Sequence, residues 1–99
     1  MAKNATQTVT SEWAQLTSGD VTSITIQNFG GDPVTIVGTV GANAPAATSD
    51  VGLVLDPGIA VINRSMTDLF PGVSGATRVY ARTNPDTPSS VAEVFVSHA

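Results

Sequence analysis

The chain has 99 residues, a net charge of −4 and no cysteine. That length suits one domain, since domains usually hold ~100–150 residues. Four basic side chains are too few for the clustered cationic footprint that phosphates demand, and without thiols there is neither a disulfide framework nor a thiolate metal site.

Val and Thr each occur 13 times and Ile five times, against four Leu, two Glu and one Lys. Their stiff, branched Cβ suits a pleated surface and loses entropy in a helix, so composition alone favours strands. Charged residues make up only 12% of the chain while 41% is hydrophobic, so much of the surface must be Thr, Ser, Asn, Ala and Gly. A surface so weakly charged does little to prevent association, which points to an exterior partly covered by neighbouring proteins. No apolar run is long enough to cross a membrane as a helix, and neither nucleic acid nor a membrane is an expected partner.

In chain order, residues 1–10 form a polar N-terminal arm or first strand, and 11–99 a single sandwich domain. Trp13 and Leu16 are three apart, so a short helical turn over 11–16 competes with a strand. After the turn at Ser18-Gly19-Asp20, residues 21–28 alternate, with Ile24 and Ile26 on one face and Ser23, Thr25 and Gln27 on the other, as in a half-buried strand. Gly30-Gly31 and Pro33 then lead through a hairpin into a strand over 34–40, with Val34, Ile36 and Val40 sharing a face. Residues 41–50, rich in Ala and Gly around Pro45, make an exposed loop.

Two strands, over 51–55 and 59–63, flank Asp56-Pro57-Gly58, whose turn preference predicts a change of sheet instead of a tight hairpin. Asp68-Leu69-Phe70-Pro71-Gly72 reads as a loop pinned by two apolar side chains. A strand over 77–83, a turn over 84–90 with two prolines, and a closing strand over 91–98 complete the pattern. Strands recurring with turn signals about every ten residues predict an all-β fold, a single small antiparallel β-sandwich or partly open barrel of about six to eight strands.

Little in the sequence speaks for catalysis. The lone histidine, His98, stands next to the last residue, where a shell to lock an imidazole is hard to build. The carboxylates are scattered through turns, where Asp is favoured for local backbone bonding, and no dense acidic loop suggests a metal site. No catalytic residue, metal ligand or cofactor site is expected. A carbohydrate-binding module, with Trp13 or Tyr80 as its platform, is one alternative. In Arg78-Val79-Tyr80-Ala81-Arg82 the strand period places Arg78, Tyr80 and Arg82 on one face, three interface-prone side chains in a row. That strip is a candidate docking surface, as is the arm with Lys3, Asn4, Thr6 and Thr8.

Trp13-Ala14-Gln15-Leu16, then Ile24-Thr25-Ile26-Gln27-Asn28 with Gly30-Gly31, then Pro45, then Gly52-Leu53-Val54-Leu55-Asp56-Pro57-Gly58 together carry a likeness. The chain resembles small β-sandwich virion proteins of tailed phages, of the head decoration or cement type. The resemblance spans most of the chain through its strand and turn pattern. It implies a non-enzymatic protein, made in the host cytoplasm, that binds the outer surface of an assembled capsid and stabilises the shell. Its partners would be the major capsid protein and copies of itself, often as a homo-trimer. A tail or baseplate component of the same kind of particle is the nearest alternative.

Overall fold

In a computed structural model, residues 2–49, 51–87 and 89–99 are described. They form strands β1 (Lys3–Val9), β2 (Ala14–Gln15), β3 (Ser23–Asn28), β4 (Val34–Thr39), β5 (Leu53–Leu55) and β6 (Ala60–Ser65). The helical turn α1 (Met66–Leu69) and strands β7 (Arg78–Arg82) and β8 (Ala92–His98) follow. Two four-stranded sheets result, in the orders β1-β8-β3-β6 and β2-β7-β4-β5, and every pairing is antiparallel. The expected all-β sandwich is the observed one. Each connection except β4 to β5 crosses from one sheet to the other, which is the strand order of an eight-stranded jelly roll.

The core lies between the sheets and follows period two. Ala92, Val94 and Val96 of β8 point inward and are buried, while Glu93 between them is exposed. Ile24 and Ile26 of β3 face Val34 and Ile36 of β4 and Val79 and Ala81 of β7 across the same core. Phe70 enters it from the end of α1 and lies against Gly38, where an added Cβ would come within 2.5 Å of the Phe70 ring. The turn of α1 is started by Ser65, whose Oγ accepts from the Asp68 N–H at 3.1 Å. α1 ends inside the segment expected as a loop over 68–72, and the two apolar side chains do pin it: Phe70 is buried and Leu69 packs against the core.

Of the helical turn and the strand that compete over 11–16, the strand is found: the short β2 pairs with β7, sending Leu16 into the core and Trp13 to the outer surface. Other expectations change. The strands before and after Gly30-Gly31 are not a hairpin, because β3 and β4 belong to opposite sheets. Val40 does not join the inner face, since β4 ends at Thr39 and Val40 is half exposed.

Of the arm and the first strand weighed for residues 1–10, the strand is found. β1 pairs with β8 without interruption from Lys3↔His98 to Val9↔Ala92, and Val9 is fully buried. On its other side β1 has no strand, so it is an edge of its sheet.

The crossing after β3 is built around Asn28, a fully buried side chain on the core face. Its Nδ2 donates to the carbonyls of Asp32 at 2.8 Å and Leu55 at 2.9 Å, and its Oδ1 accepts from the Gly30 N–H at 3.0 Å. Its backbone joins the Asp56-Pro57-Gly58 turn, accepting from the Gly58 N–H at 2.6 Å. Gly58 has φ +86°, the left-handed region that glycine enters without penalty. This turn carries the chain from β5 in one sheet to β6 in the other, the change of sheet predicted from Pro57-Gly58.

Candidate functional site

Two surfaces stand out. The first is the outer face of the sheet containing β2 and β7. Extending the β2/β7 register by one pair sets Trp13 opposite Arg82, and the Arg82 guanidinium lies 5.0 Å from the centroid of the indole ring. Arg82 Nη1 also donates to the carbonyls of Ala47 and Ser49, each at 2.9 Å. The loop after β4 is thereby drawn back along the sheet. Between them opens a cleft of about 310 Å³ lined by Ser11, Glu12, Trp13, Ala44, Pro45, Ala47 and Arg82. Trp13 Nε1 and Arg82 Nε are both buried with no acceptor.

The strip Arg78, Tyr80, Arg82 does share the outward face, but it is not an open docking row. Arg82 is 5% exposed and Tyr80 7%, because the returning loop and the edge strand β2 cover them. Tyr80 Oη donates to Gln15 Oε1 at 3.1 Å. Arg78 is the more open end of the row, and its Nε meets the carboxylate of Asp20 at 2.8 Å. That hydrogen bond holds the Asp20 carboxyl below the usual carboxylate range.

The β1 candidates divide in the same way. Lys3 Nζ donates to Gln7 Oε1 and to the Leu16 carbonyl, both at 2.6 Å, and its partial burial lowers its pKa. Thr8 Oγ1 donates to Glu93 Oε1 at 2.6 Å. Asn4 and Thr6 are exposed on the free edge strand.

The second surface is the flank formed by β5 and β6, the edge strands of the two sheets on the side away from β1 and β2. Val51 and Ile62 are each 71% exposed, and Leu53, Val54 and Ile59 are 41%, 53% and 51% exposed. Five of the eight large apolar side chains found exposed among the described residues therefore belong to this one flank. The free edge of β6 is irregular. Between the pairs Ile24↔Arg64 and Ile26↔Val61, two residues of β6 stand against one of β3, and Asn63 takes φ +47°. The Asn63 N–H donates to Thr25 Oγ1 at 2.8 Å. A bulge of this kind twists an edge away from further strand pairing, so the flank offers apolar side chains more than backbone.

His98 is buried at the end of β8. Its Nε2 lies 3.2 Å from the Ser18 backbone N–H and 3.5 Å from Ser18 Oγ, and its Nδ1 lies 3.1 Å from the Ala99 carbonyl. The backbone N–H engages the lone pair that a base would need to activate the serine. A neighbouring cavity of about 380 Å³ is lined by Ser23, Ile24, Thr25, Asn63, Ser97, His98 and Ala99. Its lining contains no acidic, Lys or Arg side chain. Among the described residues no three His, Cys, Asp or Glu side chains gather as a metal site would require.

Sequence reading found Trp13 and Arg82 separately but did not join them, because their pairing depends on which strand β2 chooses. It missed Glu12 and the flank altogether. Compared with known proteins, the chain matches no family model, no curated protein and no solved structure.

Proposed function

We propose that this chain is a non-enzymatic structural subunit that docks through its β5–β6 flank onto other proteins of an assembly. The observation that carries this reading is the concentration of exposed Val51, Leu53, Val54, Ile59 and Ile62 on one side of a 99-residue domain. Single apolar side chains on a surface are ordinary, but their concentration along two edge strands and the adjoining turns favours a contact.

The assembly we propose is a tailed-phage particle, with the chain on the outer surface of the capsid, bound to the major capsid protein and to copies of itself. Two features support it: the low-charge, Thr-rich exterior, and a jelly-roll strand order, one that viral capsid domains share with lectins and other proteins. The second is an analogy of fold, and function must rest on the docking surface.

Mixing the purified protein with undecorated phage heads tests the proposal. Saturable binding that raises the temperature at which the heads open is the expected result, and Ile62→Glu should abolish it. Heads that neither bind the protein nor gain heat resistance would reject the capsid reading. Binding to isolated tails or baseplates alone would move the protein to that part of the particle.

A further inference from the structure

The cleft between Trp13 and the loop after β4 lies on β2 and β7, with β4 separating it from the β5 edge, so docking through the flank leaves it unexplained. Its walls combine one half-buried aromatic ring, the small apolar surfaces of Ala44, Pro45 and Ala47, an exposed carboxylate on Glu12 and a buried guanidinium on Arg82. The two charges restrict what can enter. Glu12 disfavours an anion, and Arg82, seated over one face of the Trp13 ring at 5.0 Å from its centroid, disfavours a cation and leaves only the opposite face of the ring for a ligand. What remains is a neutral molecule with an apolar face for the ring and proline, and hydroxyl hydrogens for the carboxylate.

Two of the lining residues carry buried donors that the fold leaves unpaired. Trp13 Nε1 and Arg82 Nε have no acceptor in the protein, although a buried donor left unpaired costs about 1–3 kcal/mol.

We infer that this cleft is a binding site for a neutral saccharide, with Trp13 as the stacking platform, Glu12 as the hydroxyl acceptor and Arg82 as the residue that fixes both the ring and the loop. About 310 Å³ accommodates one or two sugar rings. Tyr80, the other aromatic residue of this face, is excluded as a platform because it is 7% exposed and tied to Gln15. The inference does not rest on the docking function: a sugar site here and a protein contact on the flank stand or fall separately.

Trp13 is the only tryptophan, so its fluorescence reports on the cleft directly. Full-length protein titrated with maltose, cellobiose and N,N′-diacetylchitobiose should show, for at least one of them, a saturable change in emission and about a twofold loss of acrylamide quenching. The backbone amides of Ala44 and Ala47 should shift in the NMR spectrum over the same concentration range. Glu12→Gln should weaken binding by about tenfold, the worth of one hydrogen bond to a charged acceptor, while Ile62→Glu leaves it unchanged. No change in emission, quenching or amide shifts with any of the three sugars overturns the inference. Tighter binding of glucuronate or glucosamine than of the neutral sugars overturns the charge argument on which it stands.

Discussion

Asn28 Nδ2 donates to the Leu55 carbonyl at 2.9 Å, joining the last residue of β3 in one sheet to the last residue of β5 in the other. The same side chain holds Asp32 and Gly30, so one buried amide organises the crossing from β3 to β4 and the end of β5. Asn28→Ala removes all three bonds and leaves backbone groups unpaired at a buried position. A loss of about 2–4 kcal/mol is expected at one to three unsatisfied groups, read as a lower midpoint in urea unfolding with an unchanged slope. Asn28→Asp keeps the acceptor for Gly30 and loses the two donations, so it too should destabilise the protein.

Gly52 is exposed, yet a side chain does not fit there. An added Cβ would lie 2.5 Å from Thr35 Cγ2 and 2.6 Å from the Ile36 carbonyl, so the chain just before β5 must move away from β4. Gly52→Ala should cost about 1–3 kcal/mol, as for other overpacked positions, whereas Gly72→Ala, where nothing stands within 4 Å of the added atom, should cost far less. Thermal unfolding of the two variants measures the difference.

These two positions show what the sequence makes legible. The β-branched alternation of 21–28 and 91–98 announces strands and their inner faces, because a two-residue period is a local property of the chain. Pro57-Gly58 likewise announces a change of sheet. Which strand pairs with which is a non-local matter, decided by the whole core, so the crossing after Asn28 reads in sequence as an ordinary glycine-rich hairpin. The meeting of Trp13 with Arg82 was hidden for the same reason: 69 positions separate them, and only the β2/β7 register brings them together. The apolar flank was illegible because Leu53, Val54 and Ile62 sit in sequences that look like core strands. Their exposure follows from β5 and β6 being edges.

Acid should weaken the turn before β3 through Asp20. Its carboxyl is held below the ordinary aspartate value by the hydrogen bond from Arg78. A carboxylate whose folded pKa is depressed adds stability that is complete above its unfolded pKa and is lost as the pH falls through the folded value. The loss from this group should therefore begin below about pH 4 and grow toward the folded pKa. The effect should be small, since Asp20 is largely solvated. Stability curves of the wild type and Asp20→Asn between pH 2 and pH 6 should converge at the acid end and separate above it. Parallel curves would show that the pair contributes nothing.

Truncation of residues 1–9 should damage the isolated domain. The cut removes the fully buried Val9 and seven residues of pairing with β8. Replacing the inward Val9 by Ala alone should cost about 1–3 kcal/mol from its lost methyl groups and the cavity left behind. The truncated chain, with β8 newly exposed as an edge, should aggregate or unfold at a lower temperature, as circular dichroism and light scattering would show. A truncated protein with an unchanged melting temperature would return this segment to the status of a detachable arm.

The flank and the core make opposite demands on isoleucine. Ile26 is fully buried, and Ile26→Ala should cost about 2–5 kcal/mol. Ile62 is 71% exposed on β6, and a charge there meets water, so Ile62→Glu should change the stability of the isolated domain by about 0.5 kcal/mol or less. In an assembly the order reverses. A glutamate buried at the contact without a partner is strongly unfavourable, so Ile62→Glu should lower affinity for the partner by at least about a hundredfold. Ile26→Ala should bind normally wherever it remains folded. Melting curves give the first comparison, and co-sedimentation with phage heads or with the protein's own oligomer gives the second. Normal binding by Ile62→Glu would mean that the apolar flank is not the contact, leaving the free edge of β1 with Asn4 and Thr6 as the surface to test next.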